Sequence, residues 1–365
     1  MSRSEAPLRV TLWRVRLPLL RALSSGHGTE NLRDFVLVEV EAQDGATGWG
    51  ECSALARPTY TSEHVAGAWA LLRDELAPAW LEGRESGVVG HPMASAAIGA
   101  ATRDLSLRRR GRALVDHVAV SLGRPRPTVP VCCVVGRGPV DQVVSEVAGA
   151  VGSGAVLVKI KVTPRPTDIE AVREVRRCWP RLDIAVDGNG TLDTRSVRAL
   201  ADLRLAYIEQ PAPADDLIGS AALARVAEGP VALDESVTSV ASLHTAAALG
   251  AGHLVNVKPA RLGGTDDAVS VVLAAEDLGW GCFVGGMLES GIGRAAALAV
   301  AASERCALPT DLGPSDRYFA ADIAGPVVAD DHGHVVVPVG VGSGVEVDRE
   351  RLESAACDRL VLEAP

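Results

Sequence analysis

From Val129 onward the chain repeats one unit, an apolar strand, a turn and an amphipathic helix, at about 25 residues per unit. Candidate strands begin near Val129, Val156, Asp183, Ala206, Val231, Leu254, Cys282 and Ala307. Helix signals recur between them. Thr167 is placed to cap a helix that turns Ile169, Val172 and Val175 inward, and Thr194 to cap one that buries Val197 and Leu200. Eight strands alternating with helices predict a parallel (β/α)8 barrel rather than a doubly wound sheet. The eighth unit is the weakest, because Ala307 to Asp311 is short and no clear helix follows it.

The first third is built differently. Residues 8–18 alternate polar and apolar side chains, as does Asp34 to Glu41, and Asp44-Gly45 then leads into Thr47 to Cys52 as a hairpin would. Helical segments are expected over about 63–80, 92–109 and 112–121. This predicts an α+β unit with two loops free to cover something: Arg21 to Asn31, holding Ser24, Ser25, Gly26, His27 and Gly28, and a loop after the hairpin with Arg57, Pro58, Thr59 and Tyr60. After Asp311 the sequence turns strand-like again, with a turn at His332-Gly333, a glycine-rich Gly340 to Gly344 and a final helical stretch. The tail is expected to pack back on the first third. The division is then residues 1–125 as an α+β capping domain, 126–320 as the barrel and 321–365 as a segment returning to the cap.

Barrel enzymes carry their chemistry at the C-terminal ends of the strands. Here the predicted strand ends read Lys159-Ile160-Lys161, Asp187-Gly188-Asn189, Glu209-Gln210-Pro211, Asp234-Glu235-Ser236 and Lys258-Pro259. Asp187, Glu209, Asp234 and Lys258 follow one another at separations of 22, 25 and 24 residues, one repeat each time. Three carboxylates converging from consecutive strands repel one another and call for a cation. Oxygen ligands without His or Cys favour Mg2+.

Lysines flank that cluster. Side chains two apart on a strand share a face, so Lys159 and Lys161 are expected to lie together, with repulsion lowering the proton affinity of at least one of them. A substrate carboxylate would lie between Lys161 and Lys258, its α-proton made removable by stabilisation of an enediolate. Arg261 is positioned to depress Lys258 further. Alone, each acid reads equally well as a helix cap and the Lys-x-Lys as an ordinary edge strand; the ordered set carries the reading.

The composition excludes several other classes. A formal net charge of −10, without a basic stripe, argues against nucleic acid as a partner. Arg108, Arg109, Arg110 and Arg112 read as a solvated helix end. No run approaches the roughly 18 apolar residues that cross a membrane, and Met1 to Arg9 is polar, so a cytoplasmic location is the expectation. Cys52, Cys132, Cys133, Cys178, Cys282, Cys306 and Cys357 form no CxxC pair and read as reduced thiols.

The ordered set of Lys-x-Lys, Asp-x-Asn, Glu-Gln-Pro, Asp-Glu-Ser and Lys-Pro resembles the enolase superfamily in its muconate-lactonizing subgroup. Gly285 to Arg294, Lys258 to Gly264 and Gly342 to Val347 are similar to its o-succinylbenzoate synthase and N-succinylamino acid racemase branch. The resemblance implies a (β/α)7β modified barrel with an α+β cap made from both chain ends. It implies Asp187, Glu209 and Asp234 as ligands of Mg2+, with Mn2+ as the alternative, and Lys161 and Lys258 as the acid/base pair. Lys159 would then assist electrostatically, Asn189, Glu235 and Arg261 would support these groups, and Gly286, Met287, Glu289 and Tyr60 would line the substrate. The partner is a small-molecule carboxylate, and family members are often homo-oligomers. The implied reaction is syn-dehydration to o-succinylbenzoate, on the way to menaquinone, with N-succinylamino acid racemisation or another cycloisomerase or epimerase reaction of the subgroup as alternatives. A Schiff-base role for Lys258 and a non-catalytic binding role are the readings outside this class.

The chain departs from the branch at four places: Cys133 to Arg137 where a polar residue is usual, Phe283-Val284 before Gly285, Ala297, and Thr310 before Asp311. None touches the metal or lysine positions, so these departures bear on substrate choice.

Overall fold

The computed structural model describes residues 7–25 and 28–364. Gly26 and His27, within the first expected loop, lie outside them. Four antiparallel strands form a sheet in the order β13-β1-β2-β3, with β1 at Pro7–Ser25, β2 at Gly28–Ala42, β3 at Thr47–Cys52 and β13 at Ala356–Glu363. The alternation of the sequence decides what each face meets. Val10, Leu12, Val36, Val38 and Val40 pack on helices that include 92–109, whereas Trp13, Val15, Phe35, Leu37 and Trp49 belong to a core continuous with the second half of the barrel.

The glycines of Thr47 to Cys52 permit that packing. A Cβ on Gly48 would stand 2.2 Å from the Ala101 carbonyl oxygen, and one on Gly50 would stand 2.0 Å from that of Ala97. The helix therefore lies directly on the backbone of β3. Gly50→Ala is expected to cost about 1–3 kcal/mol, the usual range for overpacking. Urea unfolding would show it as a lower midpoint at an unchanged slope.

After the helix Leu114–Leu122 the chain enters the barrel. A short β4 (Thr128–Val129) precedes β5 (Cys132–Val135), and six parallel strands follow in spatial order: β6 (Leu157–Lys161), β7 (Asp183–Asp187), β8 (Ile208–Glu209), β9 (Val231–Leu233), β10 (Leu254–Val257) and β11 (Gly281–Val284). Thr310 closes the ring. It bridges Val131 in parallel, accepts from the Cys132 amide at 2.6 Å and donates its hydroxyl to the Val284 carbonyl. The expected eighth strand is thus reduced to one residue, and the architecture is (β/α)7β. Inward side chains Cys132, Leu157, Ala185, Tyr207, Ala232 and Phe283 fill the barrel below the strand ends.

Three local expectations are corrected. The strand expected near Val129 belongs elsewhere: Thr128 and Val129 pair antiparallel with β12 (Val335–Val336), and Pro130, lacking an N–H, separates them from the barrel strand. Thr167 caps nothing, because the helix Pro166–Cys178 starts with proline in its first turn and Arg165 before it. Thr194 is displaced as a cap by Asp193, whose carboxylate forms a reciprocal capping box with Ser196. All seven cysteines are free thiols, five of them buried. No helix among the described residues is long and apolar enough to cross a membrane.

Candidate active site

Five consecutive strands deliver their C-terminal ends to one cavity of about 980 Å3. Lys161, Asp187 and Glu209 end β6, β7 and β8, while Asp234 and Lys258 immediately follow β9 and β10. Parallel register sets Lys161 beside Asp187 and Asp187 beside Glu209. Asn189 and Gln210 turn the chain after these carboxylates in left-handed conformations (φ 41° and 36°). Gln210 then ties two strand ends together. Its side-chain oxygen accepts from the Asp234 amide at 2.9 Å, and its nitrogen donates to Ser236 Oγ at 2.7 Å.

Each of the three carboxylates is turned onto an ammonium. Lys161 donates to Asp187 at 2.8 Å, Lys159 to Glu209 at 2.7 Å and Lys258 to Asp234 at 2.7 Å. Lys161 also reaches Asn189 Oδ1 at 3.0 Å, and Asn189 Nδ2 approaches Glu235 at 3.4 Å. The second oxygen of Asp234 is held by Arg261 at 3.0 Å. From the cap, the Tyr60 hydroxyl donates to Asp234 at 3.1 Å and accepts from Lys258 at 3.0 Å. Gly286, Met287 and Glu289 line the same cavity, and Met287 also packs into the core of the cap. The sequence-predicted residues named so far all meet here.

Two further residues join them that sequence reasoning did not select. Asp311, just past the closing Thr310, accepts from Lys159 at 2.8 Å and from the Gly286 amide at 2.6 Å. Asn256 is fully buried and donates to Glu209 at 2.7 Å. It lies two residues before Lys258, hence on the same face of its strand, which is the signal that points to it. Asp311 had no such signal beyond its place after the shortened strand.

The electrostatics correct one expectation. Burial lowers the proton affinity of Lys159, but Asp311 and Glu209 outweigh it and hold the ammonium well above its ordinary value. Lys258 is likewise raised, burial being overcome by Asp234 and the other anionic groups facing it, so the net depression expected beside Arg261 does not occur; the two cations share the Asp234 carboxylate. Burial pushes Asp234 up, yet Lys258 and Arg261 bring it down to about 2. Glu209 goes the other way, to about 7, through burial and the adjacent Asp187 and Asp234, against the pull of Lys159. Counter-charges from other strands thus override repulsion between neighbouring lysines.

As placed, no three His, Cys, Asp or Glu side chains among the described residues form a ready cation cage. The donor set nevertheless fits a hard divalent ion: three carboxylates on adjacent strand ends, with Glu209 pushed up by burial and then by its two anionic neighbours.

A capped (β/α)7β barrel with lysines on either side of a carboxylate cluster defines a class of barrel enzymes in which proton transfer and charge stabilisation are done at the strand ends. The comparisons make the assignment specific. Residues 142–351 match the family model for the enolase C-terminal domain-like fold. An N-succinylamino acid racemase from an Amycolatopsis species is 37% identical, over 96% of this chain and 98% of its own. An o-succinylbenzoate synthase from Bacillus subtilis is 31% identical, over 94% of each. Among solved structures, a probable mandelate racemase from Alicyclobacillus acidocaldarius superposes with a TM-score of 0.87 at 35% identity, covering 98% of this chain and 100% of its own. The chain belongs to the enolase superfamily, whose members work through enediolate chemistry and generally depend on a divalent metal, usually Mg2+.

Proposed function

We propose that this protein removes the proton α to a carboxylate of a small-molecule substrate, and that its reaction is the syn-dehydration that forms o-succinylbenzoate. One observation carries the acid/base reading: Lys161 and Lys258 stand on opposite sides of the carboxylate cluster, each within 2.8 Å of a different aspartate. Asp187, Glu209 and Asp234 are the residues that would hold Mg2+, or Mn2+ in its place. The bound cation supplies positive charge against the negative charge that grows on the substrate carboxylate as the α-proton leaves.

The residues of the chain do the rest. Lys161 takes the α-proton and returns it to the departing hydroxyl, and Lys258 stabilises the enediolate from the opposite face. Lys159, held by Glu209 and Asp311, adds fixed positive charge without leaving its pocket. Asn189, Glu235 and Arg261 keep the aspartates and lysines in place. Gly286, Met287, Glu289 and Tyr60 shape the cavity around the substrate, Tyr60 from the cap side.

A second reading, racemisation of N-succinylamino acids, is favoured by the 37% identity to the Amycolatopsis enzyme. It uses the same two lysines as bases on opposite faces. Purified protein with Mg2+ is expected to form o-succinylbenzoate from its hydroxylated cyclohexadiene precursor, to stop when a chelator is added and to recover when Mg2+ is restored. Activity that persists through chelation sinks the metal assignment. Absence of turnover together with fast deuterium uptake into both enantiomers of an N-succinylamino acid selects the racemase.

A further inference from the structure

The cavity contains a cationic side chain that the acid/base chemistry does not use. Lys159, Lys161 and Lys258 are all engaged with carboxylates, Arg137 is held by Asp168 at 2.8 Å, and Arg294 donates to the Glu289 carbonyl at 2.6 Å. Arg317 is different. It ends the short 3-10 turn Ser315–Arg317 that follows the closing residue of the barrel, and it lines the same cavity. Its Nη2 contacts Cys133 Sγ and donates to the Val134 carbonyl at 3.2 Å. No carboxylate among the described residues pairs with it, and its Nε and Nη1 hydrogens have no protein acceptor among them.

Position makes that guanidinium informative. Val134 pairs in register with Lys159, so Arg317 stands against the strand next to the one that carries both lysines. Val134, Val135 and Leu312 line the same cavity, together with Tyr318. This is the end of the first barrel strand, Cys132–Val135. The cap closes over the same side. The Leu20 amide donates to the Tyr318 carbonyl at 2.9 Å, docking the end of β1 beside Arg317, and Arg21 lines the cavity there too. A half-buried guanidinium whose Nε and Nη1 hydrogens are left to donate suits one ligand chemistry in particular, an anionic oxygen such as that of a carboxylate, which forms a charge-assisted hydrogen bond with it.

We propose that Arg317 binds a second carboxylate of the substrate, remote from the one whose α-proton is removed, and so selects dicarboxylates over their monoanionic analogues. The proposal rests on the α-proton reading above and adds to it the residue that fixes the far end of the substrate. A succinyl group is the kind of arm that presents such a carboxylate. Discrimination would come from pairing this charge, because a neutral acyl group leaves the guanidinium without an anionic partner.

The test uses the full chain with Mg2+, in the parent protein, Arg317→Met and Arg317→Lys. Deuterium uptake at the α-carbon of N-succinyl-phenylalanine and N-acetyl-phenylalanine is followed by proton NMR. In Arg317→Met the ratio of kcat/KM for the succinyl over the acetyl compound is expected to fall about 10- to 100-fold, mainly through KM, the range for loss of a charge-assisted hydrogen bond. Arg317→Lys should recover part of that ratio. An unchanged ratio overturns the proposal, including the case in which both substrates slow equally. Should the parent exchange neither compound, the α-proton reading fails, and Arg317 is judged by calorimetric titration with N-succinylglycine and N-acetylglycine. Tighter binding of the succinyl compound, lost in Arg317→Met, upholds the subsite, and equal affinities overturn it.

Discussion

Lys161→Ala is expected to lower kcat by about 10^2- to 10^4-fold with little change in KM, the range for loss of a positioned general acid or base. The side chain ends β6, lies within 2.8 Å of Asp187 and opens onto the cavity. Lys258→Ala is expected to fall in the same range from the other face. Deuterium exchange separates the two roles. If each lysine serves one face, Lys161→Ala stops uptake into one enantiomer of an N-succinylamino acid and Lys258→Ala stops it into the other. If the reaction is dehydration, Lys161 is needed both to take the proton and to return it, so its loss is the more damaging. Less than a tenfold fall in kcat for Lys161→Ala would remove it from the acid/base role.

Lys159→Met is expected to act on stability as strongly as Lys161→Ala acts on rate. Lys159 is 2% exposed, and its removal leaves Glu209 and Asp311 facing no ammonium in the barrel interior. Breaking a buried ion pair by deleting one partner costs about 3–5 kcal/mol. The pH dependence has a definite sign. Glu209 titrates near 7 in the parent, above its value of 4.5 when exposed, and losing Lys159 raises it further. A carboxyl whose folded value is raised contributes stability that is present at low pH and is lost as pH rises through the folded value. The variant should therefore be closest to the parent below pH 7 and fall away as pH rises above it. Added Mg2+ should restore part of the loss if Glu209 is a ligand. Urea unfolding at several pH values, with and without Mg2+, reads all three effects, and a metal-free loss below about 1 kcal/mol at pH 8 would count against the burial argument.

Much of the site could be read from the residues because barrel geometry is periodic in sequence. Once the repeat is recognised, Asp187, Glu209, Asp234 and Lys258 fall at equivalent strand ends, and parity puts Lys159 and Lys161 on one face. What escaped was set by contacts across the ring. Lys159 and Asp311 are 152 residues apart, and the closing Thr310, which bridges Val131, brings the first and last strands together. Local reasoning about two lysines on one strand therefore could not foresee the rise at Lys159, since the deciding carboxylates come from other strands. The misplaced helix caps have a different cause. Thr194 and Asp193 are both good capping residues, and only the backbone angles at Asp193 decide between them. Arg317 belongs to the first kind: nothing in Ser315-Asp316-Arg317 marks it until Cys133 and Val134 are seen beside it.

The pairing of β13 with β1, which joins Arg9 to Glu363 and Leu12 to Leu360, also sets an order of events at the ribosome. At roughly 5–20 residues per second, β1 waits about 15–70 s for its outer neighbour to be made, while the whole barrel is synthesised between them. During that interval a long strand edge stands open to other nascent chains. Arg9, Arg14 and Arg16 are spaced along it, and Arg14 and Arg16 are anchored by Asp34 on the inner strand. Their charges would discourage a foreign strand from docking until the correct one arrives, so the edge is guarded before it is sealed.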